Sequence, residues 1–185
     1  MEDLSEIIGD DKVLELTFSS RYGQLETELW HATFKRWDLG DDEDGSETVL
    51  ATARLARVNL HGEWLDSLDA ESGSLEAAGG AFLDRDRVAE VDEDSLFAES
   101  LVIIDFVEVL EEHRGSRVSH DFVRGIGRIF RSDIVALIPA SISHDDSDEL
   151  VVDIVKFEGL RRHWERAGFV RVPDTDVMML PFGKR

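Results

Sequence analysis

The residues best suited to chemistry fall between Ser100 and Phe130. Two carboxylates, Asp105 and Glu108, interrupt an apolar run that extends from Leu101 to Leu110 and reads as a buried strand. An apolar strand makes a carboxylate more basic, which suits Asp105 first and Glu108 second to accept a proton. Strict alternation puts Asp105 on the face of Val107 and Val109, with Glu108 on the other. Either carboxylate could equally be an ionised partner of an arginine or lie at a sheet edge. Behind the strand, Glu111-Glu112-His113-Arg114-Gly115-Ser116-Arg117 reads as a tight turn, and Val118 to Phe130 as an amphipathic helix that begins at once. The first backbone N–H groups of a helix have no partner of their own, so a strand entering a helix through such a turn is a ready anion site.

Other chemistries find less support. With no cysteine there is no thiol nucleophile, disulfide or thiolate metal site. His113 and His120 flank the turn, and His31 and His163 lie on predicted elements among aromatic residues, where packing is the commoner role. No histidine pair shows the spacing, with a third ligand, that zinc requires. Asp41-Asp42-Glu43-Asp44-Gly45 lacks the spacing of a calcium loop and reads as a solvated hairpin loop. No nucleophile elbow, phosphate-binding loop or dinucleotide signature occurs. Arg124-Gly125-Ile126-Gly127 falls in mid-helix, where its glycines suit close packing.

The elements that must position this stretch follow from pattern. Residues 1–11 read as a short helix or arm, 12–18 as a strand, 25–37 and 48–60 as a long hairpin. Trp64, Leu65 and Leu68 anchor a short helix in a region rich in Gly, Ser and acids, and 84–97 reads as a surface helix. After the central strand and helix, 133–139 is a second buried strand, expected to run parallel to the first. His144 to Glu149 reads as an acidic loop, and 151–155 either extends the sheet or leads into the helix predicted over 156–167. Gly168 stops that helix, and 169–172 and 177–180 form a closing strand pair. A single domain over residues 1–185 is the expectation.

The formal charge of −21 repels phosphate backbones and excludes general nucleic-acid binding. It leaves a solvated acidic surface, or an acidic face that docks a basic partner or mimics nucleic acid. No apolar run is long enough for a bilayer, and the acidic start has no signal-like core, so the expectation is a cytoplasmic protein without membrane partners.

Two motifs carry a family resemblance. Val109-Leu110-Glu111-Glu112-His113-Arg114-Gly115 resembles the Val-x-Pro-Glu-Tyr-Arg-Gly run at the end of the fourth strand of GNAT acyl-CoA-dependent N-acyltransferases. Trp164-Glu165-Arg166-Ala167-Gly168-Phe169 is similar to their Tyr-Glu-Lys-x-Gly-Phe signature. The resemblance covers roughly residues 100–180 and implies an α/β fold with a mixed, mostly antiparallel central sheet flanked by helices. It also implies transfer of an acyl group, acetyl first, from CoA directly to an amine. Carried over, it sets the CoA diphosphate on Arg114, Gly115, Ser116, Arg117, Val118 and Ser119, and the pantetheine on Val109 backbone groups in a splay between the fourth and fifth strands. Trp164 stands where the family has its Tyr acid, and Arg117 and Ser119 where it has two glycines. Asp105, or Glu108, would be the base. The acceptor is a small-molecule or peptide amine, for which the charge favours a cation, and a homodimer is compatible. A non-catalytic GNAT-like binding protein with a degenerate CoA site is the alternative.

Overall fold

The computed structural model describes residues 12–19, 27–38, 46–139, 142–144, 150–152 and 154–184. The expectations for residues 1–11, the acidic run 41–45 and the loop 145–149 lie outside these residues. The chain begins with an antiparallel meander: β1 (Lys12–Ser19), β2 (Thr27–Asp38) and β3 (Ser46–Asn59). Three short helices follow, α1 (Trp64–Asp69), α2 (Gly73–Gly80) and α3 (Arg85–Val91). Next come β4 (Ser100–Val109), α4 (Val118–Ile129), β5 (Ile134–Leu137) and α5 (Ile154–Ala167). A hairpin of β8 (Val170–Arg171) and β9 (Met178–Leu180) closes the chain.

Seven strands form one sheet in the order β1-β2-β3-β4-β5-β9-β8, and only the β4–β5 pairing is parallel. This is an α/β architecture with a mixed, mostly antiparallel sheet. The stretch after β5 forms a separate two-stranded ribbon, β6 (Ile142–His144) with β7 (Leu150–Val152), rather than extending the main sheet. Among the described residues no helix is long and apolar enough to cross a membrane.

The sheet separates two cores. On one face Phe122, Val123 and Ile126 of α4 and Trp164 and Ala167 of α5 pack on Phe34, Leu55, Val102 and Ile104. Phe34 and Phe122 stack there with centroids 5.4 Å apart. On the other face Trp64 and Leu68 of α1, Leu75 and Ala78 of α2 and Val88 of α3 pack on Ala56, Val58, Leu101 and Ile103. Being covered on both faces, β4 needs apolar residues at every position from Leu101 to Ile104, and all four are buried. Each such side chain contributes about 1.5–3 kcal/mol of burial.

One helix was not expected, and one helical expectation needs correction. Residues 73–80 form α2, although glycine is a poor helix former. The Ser72 side chain caps it by accepting from Leu75 N–H at 3.2 Å. A Cβ on Gly79 would come within 2.7 Å of a Leu68 methyl, so this glycine lets α2 pack closely on the α1 side chains. The surface helix predicted over 84–97 stops at Val91, and a 3-10 turn takes over at Glu93–Phe97. Asp92 makes the break: its extended backbone ends α3, and its Oδ1 accepts from Asp94 N–H at 3.2 Å. Its Oδ2 accepts from Phe182 N–H at 2.6 Å, tying the break to the C-terminal segment.

Candidate active site

The β4 strand does not keep a simple alternation. Arg54 of β3 lies opposite Phe106 and Leu55 opposite Ile104, so Asp105 is the extra residue of a β-bulge. Below the bulge Val102 and Ile104 face α4 and α5; above it Val107 and Val109 do. Asp105 is left on the opposite face, beside α2. There its Oδ2 accepts from Arg54 Nη2 at 2.7 Å and its Oδ1 from Ser74 Oγ at 3.4 Å. The expectation that Asp105 shares a face with Val107 and Val109 is therefore wrong, because one inserted residue reverses the alternation. Nor is Asp105 isolated among apolar groups: it is the ion-pair partner of Arg54. It lines a shallow depression of about 350 Å³ with His31, Arg54, Glu71 and Ser72. Glu108, between two residues that face the helices, is exposed on the same side as Asp105.

β5 accompanies β4 only from Leu101 to Ile104, and among the described residues no strand pairs with β4 along that edge beyond it. A cleft of about 480 Å³ opens there, on the α4–α5 face. Val107 and Val109 form its floor, the turn from His113 to Ser116 and Ser119 one wall, and Gly159, Leu160, His163 and Trp164 of α5 the other. The sequence-derived Val109, Arg114, Gly115, Ser116, Ser119 and Trp164 thus meet around one space. Arg117 and Val118 do not line it: Arg117 is the exposed N-cap residue of α4, and Val118 packs on the core.

The turn is held by local chemistry. Gly115 has φ +77°, a left-handed conformation that glycine adopts without strain. Ser116 Oγ donates to His113 C=O at 2.5 Å and accepts from Val118 N–H at 3.3 Å, which satisfies one of the first amides of α4. Asp121 N–H is taken by Arg117 C=O. Among the described residues the amides of Ser119 and His120 have no hydrogen-bond partner. Arg114 Nε donates to Val109 C=O at 3.1 Å, holding the guanidinium at the cleft, and among the described residues neither Nη group has a partner.

No family model, curated protein or solved structure matches the chain.

The cleft therefore has to be read from its own residues. The second motif, at the end of α5, is first of all a helix stop. Phe169 N–H bonds to Trp164 C=O at 3.1 Å and Gly168 N–H to Glu165 C=O at 3.0 Å, with Gly168 at φ +107°. These are the two bonds of a Schellman cap. Trp164 is buried, edge-on to Phe169 at 6.2 Å, and presents part of its indole to the cleft.

The residue that sequence reasoning set aside is His163. Its Nε2 shares a 2.9 Å hydrogen bond with Ser119 Oγ, and its ring lies 4.4 Å from that of His120. Burial first, then the neighbouring His120 and Arg166, lowers the pKa of His163 below the ordinary 6.5. Burial first, then Arg124, lowers that of His120. One signal was available in the sequence: a serine in place of a motif glycine needs a partner, and a histidine stands one residue before the motif tryptophan. Among the described residues no three His, Cys, Asp or Glu side chains gather where they could share a metal ion.

Proposed function

We propose that the chain is an acyl-CoA-dependent N-acyltransferase of the GNAT type, with acetyl-CoA the first donor to try. The observation that carries this reading is the cleft where β4 outruns β5, bounded by the Arg114–Ser119 turn and roofed by α5. The order strand, Arg-Gly turn, helix, parallel strand, helix ending in Gly-Phe, and strand hairpin supports it as well. In this reading Arg114 and the free amides of Ser119 and His120 take the diphosphate, which suits the partial positive charge of a helix N-terminus. The apolar strip of Val107, Val109, Leu160 and Trp164 takes the pantetheine arm, alongside the unpaired edge of β4.

Transfer then needs an amine at the thioester carbonyl. Its nitrogen lone pair forms the C–N bond, the C–S bond breaks, and the amine gives up a proton. Backbone N–H groups on the free edge of β4 supply the donors for the intermediate oxyanion. The bulge turns Asp105 to the face opposite the cleft and pairs it with Arg54, so as a base it serves only an amine that reaches the thioester past the β4 edge from that face. The net charge of −21 suits a cationic acceptor such as a polyamine, an aminoglycoside-like molecule or a basic peptide. The departing thiolate takes its proton from water, since Trp164 has no acidic hydrogen to give.

A non-catalytic, CoA-free reading draws on one feature: Ser119 occupies a motif glycine position and is already bonded to His163. Thiol release decides between the two. Incubated with acetyl-CoA and a panel of amines, the protein is expected to release free CoA only when an accepted amine is present. Absence of release across polyamines, aminoglycosides and basic peptides favours the binding protein.

A further inference from the structure

The turn end of the cleft is unusually cationic for a chain of net charge −21. His163 and His120 sit ring to ring there, with Ser119 Oγ on His163 Nε2. Arg117, Asp121 and Arg124 on α4 and Arg166 on α5 act on the pair, and the turn brings His113 and Arg114 to the same cleft. Two carboxylates lie nearby among the described residues: Asp121, partly neutralised by Lys12 of β1 at 3.6 Å, and the exposed Glu112, 3.8 Å from His113 Nε2. Arg124 is engaged, donating to Ala167 C=O at 3.1 Å and Arg166 C=O at 3.4 Å. Among the described residues, what remains is a guanidinium face on Arg114 without a partner and an imidazole, both on the lining of one cavity that carries no carboxylate.

We propose that this end of the cleft holds a diphosphate between the Arg114 guanidinium and a protonated His163, so that ligand and proton bind together. The inference rests on the reading of the cleft as a CoA site. Burial, then the neighbouring His120 and Arg166, lowers the pKa of His163 below its ordinary 6.5 and so opposes a second proton. A phosphate oxygen at hydrogen-bond distance reverses that balance. The imidazole takes a proton from solvent and donates Nε2–H to the phosphate, and the Ser119 hydroxyl, released from its bond to Nε2, donates to another phosphate oxygen. Charge-assisted bonds of this kind are about twice as strong as neutral ones. A glycine at position 119 would leave the anion to the backbone alone, with no linkage to protons. Ser119 and His163 together replace that device with a titrating one. Arg114 and His163 also approach the anion from different elements, the turn and α5, so binding should draw the two walls together.

The test is calorimetric titration of coenzyme A at pH 6, 7 and 8, in buffers of different ionisation enthalpy, for the full chain and for His163→Gln. The wild type is expected to take up a fraction of a proton per ligand and to bind up to about tenfold more tightly per pH unit as the pH falls. His163→Gln keeps a donor for Ser119, and its affinity is expected to be about tenfold lower at pH 6 with a flattened pH profile. The nucleotide's own phosphate ionisation is common to both proteins, so the difference between them is the readout. Equal proton uptake and equal pH slopes overturn the inference and leave the CoA cleft standing; no binding by either protein removes both. Should His163→Gln not fold, imidazole C–H NMR of the wild type gives the same answer. An imidazole titration that moves upward with coenzyme A supports the proposal, and six unmoved histidines contradict it.

Discussion

Gly115 and Asp105 show how single residues set this site. Gly115 turns the chain at φ +77° with open space where a Cβ would stand, so its requirement is conformational and not steric. Gly115→Ala is expected to cost about 1–2 kcal/mol in denaturant unfolding, and to weaken coenzyme A binding because the Arg114–Ser119 turn is displaced. Asp105 is a different case. It stands across the sheet from the cleft, and its partner Arg54 is 67% exposed, so their ion pair contributes at most about 1 kcal/mol. Asp105→Asn is expected to leave coenzyme A affinity within about twofold while lowering acyl transfer by about 100-fold. Loss of binding in parallel with activity would contradict the placement of Asp105 on the acceptor side. At this scale the sequence was only partly readable. Arg114, Gly115, Ser116 and Ser119 were legible because an Arg-Gly turn before an amphipathic run marks a helix start, whereas Arg117 and Val118, read into the same cradle, do not line the cleft. The side of the sheet that Asp105 faces was not, because a bulge adds one residue without changing composition or apolar content. His163 was hidden for another reason: its partner Ser119 lies on a different helix, and helical periodicity says nothing of what two helices bring together.

Elements are where pattern and structure agree best, and where the exceptions have local causes. The β2–β3 hairpin, the parallel β4–β5 crossover and the glycine stop of α5 all follow from alternation, apolar runs and capping. The α2 helix does not, since four of its eight residues are Gly or Ser. It exists because Ser72 caps it and because Leu75 and Ala78 complete the core above Leu101 and Ile103. Ser72→Ala is expected to destabilise the fold by about 1 kcal/mol, measured as a lowered denaturant midpoint with an unchanged m-value. A stronger tie lies at the far end of the sheet. Arg57 of β3 donates to Asp133, just before β5, at 2.8 Å, to Glu28 of β2 at 3.1 Å and to Ser100 of β4 at 3.1 Å. Asp133 is buried, so Asp133→Ala leaves a guanidinium short of its main partner; about 1–3 kcal/mol of stability should be lost. Because that end lies away from the cleft, coenzyme A affinity should change little.

Over the whole molecule the governing quantity is charge. At −21 the folded chain repels itself, and added salt should stabilise it. Raising NaCl from about 0.05 to 0.5 M is expected to raise the melting temperature; a fall would mean that attractive pairs outweigh the net repulsion. The pH response has two windows. His120 and His163 bind protons more weakly in the fold than their ordinary 6.5, so just below that pH the unfolded chain holds more protons. Stability therefore falls as the pH drops through about 6.5, and a His120→Gln/His163→Gln double variant should lose that part of the slope. Glu15, whose pKa the Lys35 ammonium lowers from 4.5, gives stability that persists above 4.5 and is lost only further down. Sequence composition showed the acidity. It did not show that a cationic pocket survives within it, since that pocket is assembled from a turn and two helices.

The central claim is that the space between the β4 edge, the Arg114 turn and α5 is a nucleotide-thioester site. Calorimetry of acetyl-CoA with the wild type and with Arg114→Ala addresses it most directly. One site per chain is expected, with affinity weakened at least about tenfold in the variant, the scale of one charge-assisted phosphate contact. No heat of binding at high micromolar acetyl-CoA, or equal affinity in the two proteins, would contradict the account.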